Sequence, residues 1–458
     1  MDIALLNTRR AVVFAASAGE FRNNVKKFMQ QLQHELINGG NKDDLCFVVY
    51  SLCLDLQSWL IHWNLLKYVT AGQLLQEDID NAVSGLRNLL QVYCPEKIIE
   101  LNREVNAVKS SAIVEICELT EKKTLFTRWG HDYCSGLDYS IRRGARFLTS
   151  NPVKINAFRK EENERWAVFL EEVRAENPGI TKERLISLMC MKVVALHARE
   201  LYPIHEATDG EDGFACIQVN VKNRNNTKKM IDEVFFWEEA FRKELNMDNP
   251  NIVYKLPAVK AAIPVVQTLV AQGIRVCMTL NFSCSQHDIF ADILQKGARR
   301  SFMVIMSGFL DDSVVLELQS LGVENPKLYA CHAGEAVLRK SYANLRAKEY
   351  NKVSIMVAAI RGDYTIKSCL TGYNNAPLYF TTVTKMIQAY DNAPRKSCSE
   401  IDEPISRDIM EVLTKSSIFN KAYNRNLLNL DNLNDFEPLN AVLKVFVSAF
   451  EEIEASLP

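Results

Sequence analysis

The segment Asn251-Ile252-Val253-Tyr254-Lys255-Leu256-Pro257-Ala258 is apolar except for one lysine. Ile252, Val253 and Tyr254 favour a strand, and Pro257 ends it, so Lys255 falls at the strand's C-terminal end. An ammonium among buried apolar neighbours is penalised, which tends to leave the neutral amine, a nucleophile for carbonyl carbon. The plain alternative is a side chain that stretches from a strand end into water. Its companions favour the chemistry. Other β-prone runs end at Asp132, Asn151, Gln218, Thr279, Ser307, Arg361 and Thr381-Thr382. Singly, most of these would only cap a helix or meet solvent. Together they supply an amine, a carboxylate, neutral hydrogen-bonding groups and a cation. Schiff-base chemistry on a ketone needs such a set: a lysine to capture the carbonyl, a base for a hydroxyl proton and a cation for a phosphate.

The elements that would position these residues are eight short β-prone runs, at 124–129, 145–149, 214–219, 252–256, 274–279, 302–306, 353–359 and 377–381. Helical patterns lie between most of them, for example at 228–245, 259–271 and 312–321. Repeated strand-helix alternation predicts an α/β fold, a parallel (β/α)₈ TIM barrel with its site at the C-terminal strand ends. A doubly wound sheet is the alternative, and no G-x-G-x-x-G follows the first strand to support it. The connection 152–213 is expected to hold two helices, 161–176 and 181–198. Leu328-Tyr329-Ala330-Cys331 could pass for an extra strand.

Residues 1–120 read as an all-helical N-terminal region. Phe21, Val25, Phe28, Leu32 and Leu36 share one helical face that Gly39-Gly40 ends. Further helices are expected at 43–68, 74–93 and 96–119. A surface turn at 392–397 and helices at 403–414 and 439–455 complete the chain. The expected division is a helical region at 1–120, a barrel at 121–400 and a C-terminal helical extension at 401–458.

Composition fits this plan. The chain has 458 residues, enough for a large α/β domain with an accessory region. It is 48% hydrophobic and 24% charged, which argues against disorder. A formal net charge of −2 predicts no general attraction to nucleic acid or anionic membrane. The 12 cysteines form no C-x-x-C pair, and Cys331-His332 is too little for a zinc site. No metal or cofactor is expected, and the thiols are expected to be reduced, in a cytoplasmic compartment. The run 11–16 is too short for a secretory signal, although Arg9, Arg10 and Ser17 fit a transit peptide weakly. No apolar stretch is long enough to span a bilayer.

Several blocks point to one family. Thr149-Ser150-Asn151-Pro152 is similar to a T-[TS]-N-P block, Lys255-Leu256-Pro257-Ala258 to K-[IL]-P-[AS], and Thr279-Leu280-Asn281-Phe282-Ser283 to T-L-x-F-S. Ser307-Gly308-Phe309 is similar to S-P-F, and Ala358-Ala359-Ile360-Arg361 to A-S-F-R. With these blocks, residues 124–390 resemble the transaldolases, class I Schiff-base barrel enzymes of the pentose phosphate pathway. The resemblance implies that Lys255 forms the Schiff base and that Asp132 is the acid/base, with Asp138 a nearby competitor. It implies that Thr279 holds the catalytic water. Asn151 would meet a substrate hydroxyl, Ser307 the dihydroxyacetone end, and Arg361 a phosphate.

The departures from the family pattern lie around that set. Gln218 stands where transaldolases carry a catalytic Glu, as in the fructose-6-phosphate aldolase branch, and Asn220 replaces an Asp. That branch has Tyr where this chain has Phe309. Cys277 replaces an Asn, Ala359 a Ser, and Asp312 the second phosphate arginine. The resemblance therefore implies a transaldolase-like transferase or aldolase with an altered substrate, a small carbonyl compound of the sugar-phosphate class. Gln218 would help to position the water. The alternative is a repurposed barrel that acts as a scaffold or regulator through its N-terminal helices. That region could also mediate a homodimer or bind a helical partner.

Overall fold

The structure is a computed structural model that describes residues 3–68, 76–393 and 398–457. Eight strands close in chain order into an all-parallel barrel. They are β1 (Thr127–His131), β2 (Phe147–Thr149), β3 (Phe214–Gln218), β4 (Ile252–Pro257), β5 (Val276–Thr279), β6 (Ser301–Met306), β7 (Val353–Ala358) and β8 (Leu378–Thr382). Every residue of β2 to β8 is buried. That burial explains near-continuous apolar runs rather than alternation, since helices cover a parallel barrel and side chains fill it.

The first strand lies further along than the β-prone run 124–129 suggests. Leu125 makes an isolated antiparallel bridge to Gly372, and pairing with β8 begins at Thr127 opposite Leu378. The shift leaves Asp132 directly after the strand, its N–H donating to the Thr382 carbonyl at 2.8 Å. Leu328–Cys331 adds no strand, because Pro326 starts a short helix, Pro326–Ala330. The connection 152–213 holds three helices rather than two: Pro152–Glu161, Asn163–Glu176 and Lys182–Ala207. Asn151 caps the first of them, with Pro152 at its opening position, where a missing N–H costs nothing.

Aromatic rings plug the N-terminal ends of the strands. Phe147, Phe214, Phe302 and Tyr379 meet in sequence at centroid distances of 5.0, 4.9 and 5.0 Å, and Tyr379 returns to Phe147 at 5.8 Å. The Arg275 guanidinium lies 4.7 Å from the Phe214 centroid. Gly130 of β1 admits the Phe147 ring, which any Cβ there would strike.

The described residues form two compact units. The larger contains the barrel and the tail helices Arg407–Leu413, Ser417–Tyr423 and Glu437–Ser456. In it, Asn156 and Lys160 both bond Glu452, at 2.7 and 2.8 Å, which ties the last helix to Pro152–Glu161.

The smaller unit comprises the chain up to Glu115 with Asp138–Ala145 and Pro203–Asp212. The helix expected at 43–68 is broken there into Lys42–Asp55 and Trp59–Tyr68, with the Trp59 N–H donating to the Arg142 carbonyl at 2.9 Å. The helix expected at 96–119 also breaks. Pro95–Lys109 ends at Ser110, whose hydroxyl bonds back to the Asn106 carbonyl, and a new helix begins at Ala112. The start of the helix expected at 74–93 and most of the turn expected at 392–397 lie outside the described residues.

An ion cluster built around the buried Asp55 lies in the smaller unit. Asp55 accepts from Arg9 Nε at 2.6 Å and Arg142 Nε at 2.7 Å, while Asp138 pairs with Arg9 and Arg10 at 3.2 and 2.8 Å. Burial alone would raise the Asp55 carboxyl, but Arg9 and Arg142 outweigh it and hold the group below its usual value. The expectation of reduced thiols fails at one pair. Cys46 and Cys94 form a disulfide, with Cα atoms 6.3 Å apart, because the packed helices bring together residues 48 positions apart. The other ten cysteines are free. Among the described residues, no helix is long and apolar enough to cross a membrane.

Candidate active site

Lys255 points into the barrel at the C-terminal end of β4, 5% exposed. It lies opposite Gln218 of β3 on one side and Cys277 of β5 on the other. Its Nζ donates to the Ser150 carbonyl at 3.0 Å, and it makes no ion pair among the described residues. Gln218 is also buried, and neither end of its amide has a hydrogen-bond partner there. A buried amide left open on both sides is costly unless something else binds it, and a water or a substrate group can do so.

Asp132 is held close by. Its Oδ1 accepts from the Thr149 hydroxyl at 2.8 Å, and that hydroxyl lies 2.7 Å from the Thr381 hydroxyl. Lys154 Nζ stands 3.9 Å from the other carboxylate oxygen. The dipeptide Thr149-Ser150 therefore bridges the amine and the carboxylate, with the Thr149 hydroxyl bonded to one and the Ser150 carbonyl to the other. The adjacent His131 is pushed down to about 4 by burial, so it is neutral near pH 7. Asp138, the rival acid, is taken up by Arg9 and Arg10 in the ion cluster.

Thr279 leads to the other side of the barrel. Its hydroxyl meets Met306 Sδ at 3.7 Å, and Ser307 follows at the end of β6. Ser307 is buried against Gly334, where any Cβ would collide with its Oγ. Arg361 stands after β7, with its guanidinium 4.8 Å from the Phe309 ring centroid. It is engaged by Asp312, to which its Nε and Nη2 donate at 3.2 and 2.7 Å. Asn151 spends its side-chain oxygen on the helix cap, accepting from the Lys154 N–H at 3.1 Å.

The seven residues singled out in the sequence all lie at or just beyond the C-terminal strand ends. Thr149-Ser150 links Lys255 to Asp132, Gln218 neighbours Lys255 by strand register, and Thr279 meets Met306, the residue before Ser307. Arg361 stands at the rim in an ion pair. Sequence reasoning passed over Thr149 and Ser150, although both lie in the T-S-N-P block. It also passed over Asp311 and Glu233. The Ser150 contact runs through a backbone carbonyl, which residue type cannot signal. Glu233 accepts the Asn220 N–H at 2.8 Å, just past Gln218, and burial pushes its carboxyl up to about 7.

This arrangement of a buried amine, a nearby carboxylate and an open amide can support carbonyl condensation with proton transfer. Comparison with known proteins bears on the family. The family model described as transaldolase/fructose-6-phosphate aldolase matches residues 138–456, a stretch that begins after β1 and so does not include Asp132. "Transaldolase 2" of Streptomyces avermitilis is 30% identical over 175 residues, covering 36% of this chain and 45% of that protein. A "Transaldolase" of Mycobacterium leprae is 31% identical over 151 residues, covering 30% and 38%. The chain thus aligns with less than half the length of these relatives. With a closed parallel barrel behind the match, this chain belongs to the transaldolase/fructose-6-phosphate aldolase family.

Proposed function

We propose that the protein is a Schiff-base enzyme that cleaves a ketose or ketose phosphate and transfers or releases a dihydroxyacetone unit. Lys255 adds to the ketone carbonyl, and loss of water gives an iminium. Asp132 takes the proton of the hydroxyl next to the bond to be broken. The carbon–carbon bond then breaks, an aldehyde leaves, and the bonding electrons move into the iminium to form an enamine. The enamine carbon either attacks an acceptor aldehyde or takes a proton. Water then frees the product from the lysine. Gln218, whose amide has no partner among the described residues, and Thr279 hold that water. Asn151 and Ser307 orient the hydroxyls of the bound chain, and Arg361 stands at the far end of the site.

The observation that carries this reading is Lys255 itself: buried, without an ion pair among the described residues, and connected to Asp132 through Thr149-Ser150. The test is reductive trapping. Protein mixed with dihydroxyacetone or fructose 6-phosphate, reduced with borohydride and digested should carry the adduct on the Lys255 peptide. Lys255→Met should carry none. An unmodified Lys255 with every donor ketone would end the proposal. Product formation with and without an acceptor aldehyde separates transfer from release.

A further inference from the structure

In the segments that follow β6 and β7 opens a cleft of about 500 Å³ lined by Asp311, Asp312, Lys327, Cys331, Arg361 and Tyr364, among others. It contains the two features from which proteins build anion sites, a guanidinium fork and a helix N-terminus. The chain's own carboxylates occupy both. Two Arg361 nitrogens donate to Asp312 Oδ2, at 3.2 and 2.7 Å, and a third lies 3.4 Å from the Ala359 carbonyl. At the start of the helix Ala333–Ala347, the Gly334 N–H donates to Asp311 Oδ1 at 2.8 Å. His332 and Arg339 nearby are both paired with Glu335, at 2.6 and 2.5 Å. Lys327 stands exposed on its short helix. A phosphate dianion entering here would have to displace Asp312 from Arg361 and would then lie beside its carboxylate, a like-charge contact.

One polar group lining the cleft is left unsatisfied. Asp311 is 3% exposed, and its Oδ2 has no hydrogen-bond partner among the described residues. Burial pushes this carboxyl well above its ordinary value. A hydroxyl suits it in either protonation state, as donor to the carboxylate or as acceptor from the acid.

We infer that the substrate's far end is an uncharged polyol whose terminal hydroxyl bonds Asp311, so that the enzyme takes free ketoses in preference to ketose phosphates. This rests on the Schiff-base reading above and names its substrate class. Asp312 acts here as the specificity residue, since it turns the one guanidinium at the cleft away from phosphate.

The experiment has two arms. In the first, adduct at Lys255 is titrated with fructose and with fructose 6-phosphate, using dihydroxyacetone, which lacks their far end, as reference. Half-saturation should be lower for fructose by about tenfold, and Asp312→Asn should narrow or reverse that ratio. Tighter capture of fructose 6-phosphate by the unaltered protein overturns the inference. If none of the three ketones leaves an adduct, it is the Schiff-base reading that has failed. The second arm settles the cleft without the lysine chemistry, through inorganic phosphate binding followed by calorimetry. The unaltered protein should show no heat of binding at millimolar phosphate, and Asp312→Asn should gain it. Phosphate binding by the unaltered protein, blocked by Arg361→Gln, refutes the inference.

Discussion

At the scale of single residues, the site divides into groups that are paired and groups that are waiting. Asp132, Asn151 and Arg361 have partners supplied by the chain, while the Gln218 amide has none among the described residues. Position 218 is therefore where a charge would be felt most directly. In Gln218→Glu, a new carboxylate stands opposite Lys255 and can pair with it. Borohydride trapping at Lys255 should then give less adduct than in the unaltered protein under the same conditions, measured as adduct yield. An unchanged yield would mean that the two side chains do not share a space. The sequence made Lys255, Gln218 and Thr279 readable because each ends an apolar run. It could not make Ser150 readable, since the atom that meets the lysine belongs to the backbone. Nor could it show that Asp312 and Arg361, 49 positions apart, would neutralise one another.

At the scale of elements, the barrel was legible strand by strand, because strands buried on both sides must be apolar throughout. The exact ends were less so, as the position of β1 shows, since its pairing with β8 overrides local preference. That strand carries a sharp steric requirement. Gly130→Ala drives a methyl group into the Phe147 ring and should cost about 1–3 kcal/mol, read as a lowered denaturation midpoint. A second test concerns the helix Thr227–Leu245, which sends Glu233 under the turn after β3. Burial raises this carboxyl from 4.5 to about 7, so the folded protein holds a proton that the unfolded chain has already lost. Its contribution to stability is complete below about pH 4.5 and is lost as pH rises toward 7. Glu233→Gln should flatten that decline and leave the protein relatively more stable at pH 8. Urea titrations at several pH values would show whether it does.

At the scale of the whole molecule, the helical unit was the least legible part. Its helices are visible as amphipathic patterns, but the break before Trp59 depends on the Arg142 carbonyl, more than 80 positions downstream. The same holds for Cys46 and Cys94, whose spacing follows no recognisable pattern and whose meeting depends on helix packing. Closing a loop of 48 residues restricts the unfolded chain. Reduction, or Cys46→Ser, should therefore lower the stability of this unit by about 2–4 kcal/mol. Thermal unfolding with and without reductant measures it, and superimposable curves would show that the bridge adds nothing.

The aromatic plug of Phe147, Phe214, Phe302 and Tyr379 has a kinetic consequence. With rings packed across the N-terminal end, Lys255 lies toward the other end of its strand. In the proposed transfer, the outgoing aldehyde would clear that end before the incoming one enters, and the tether to Lys255 would keep the three-carbon fragment aboard. Traffic of this kind leaves a signature: parallel double-reciprocal plots at low aldehyde, and congestion at high aldehyde, when the acceptor queues in an empty barrel ahead of the ketose.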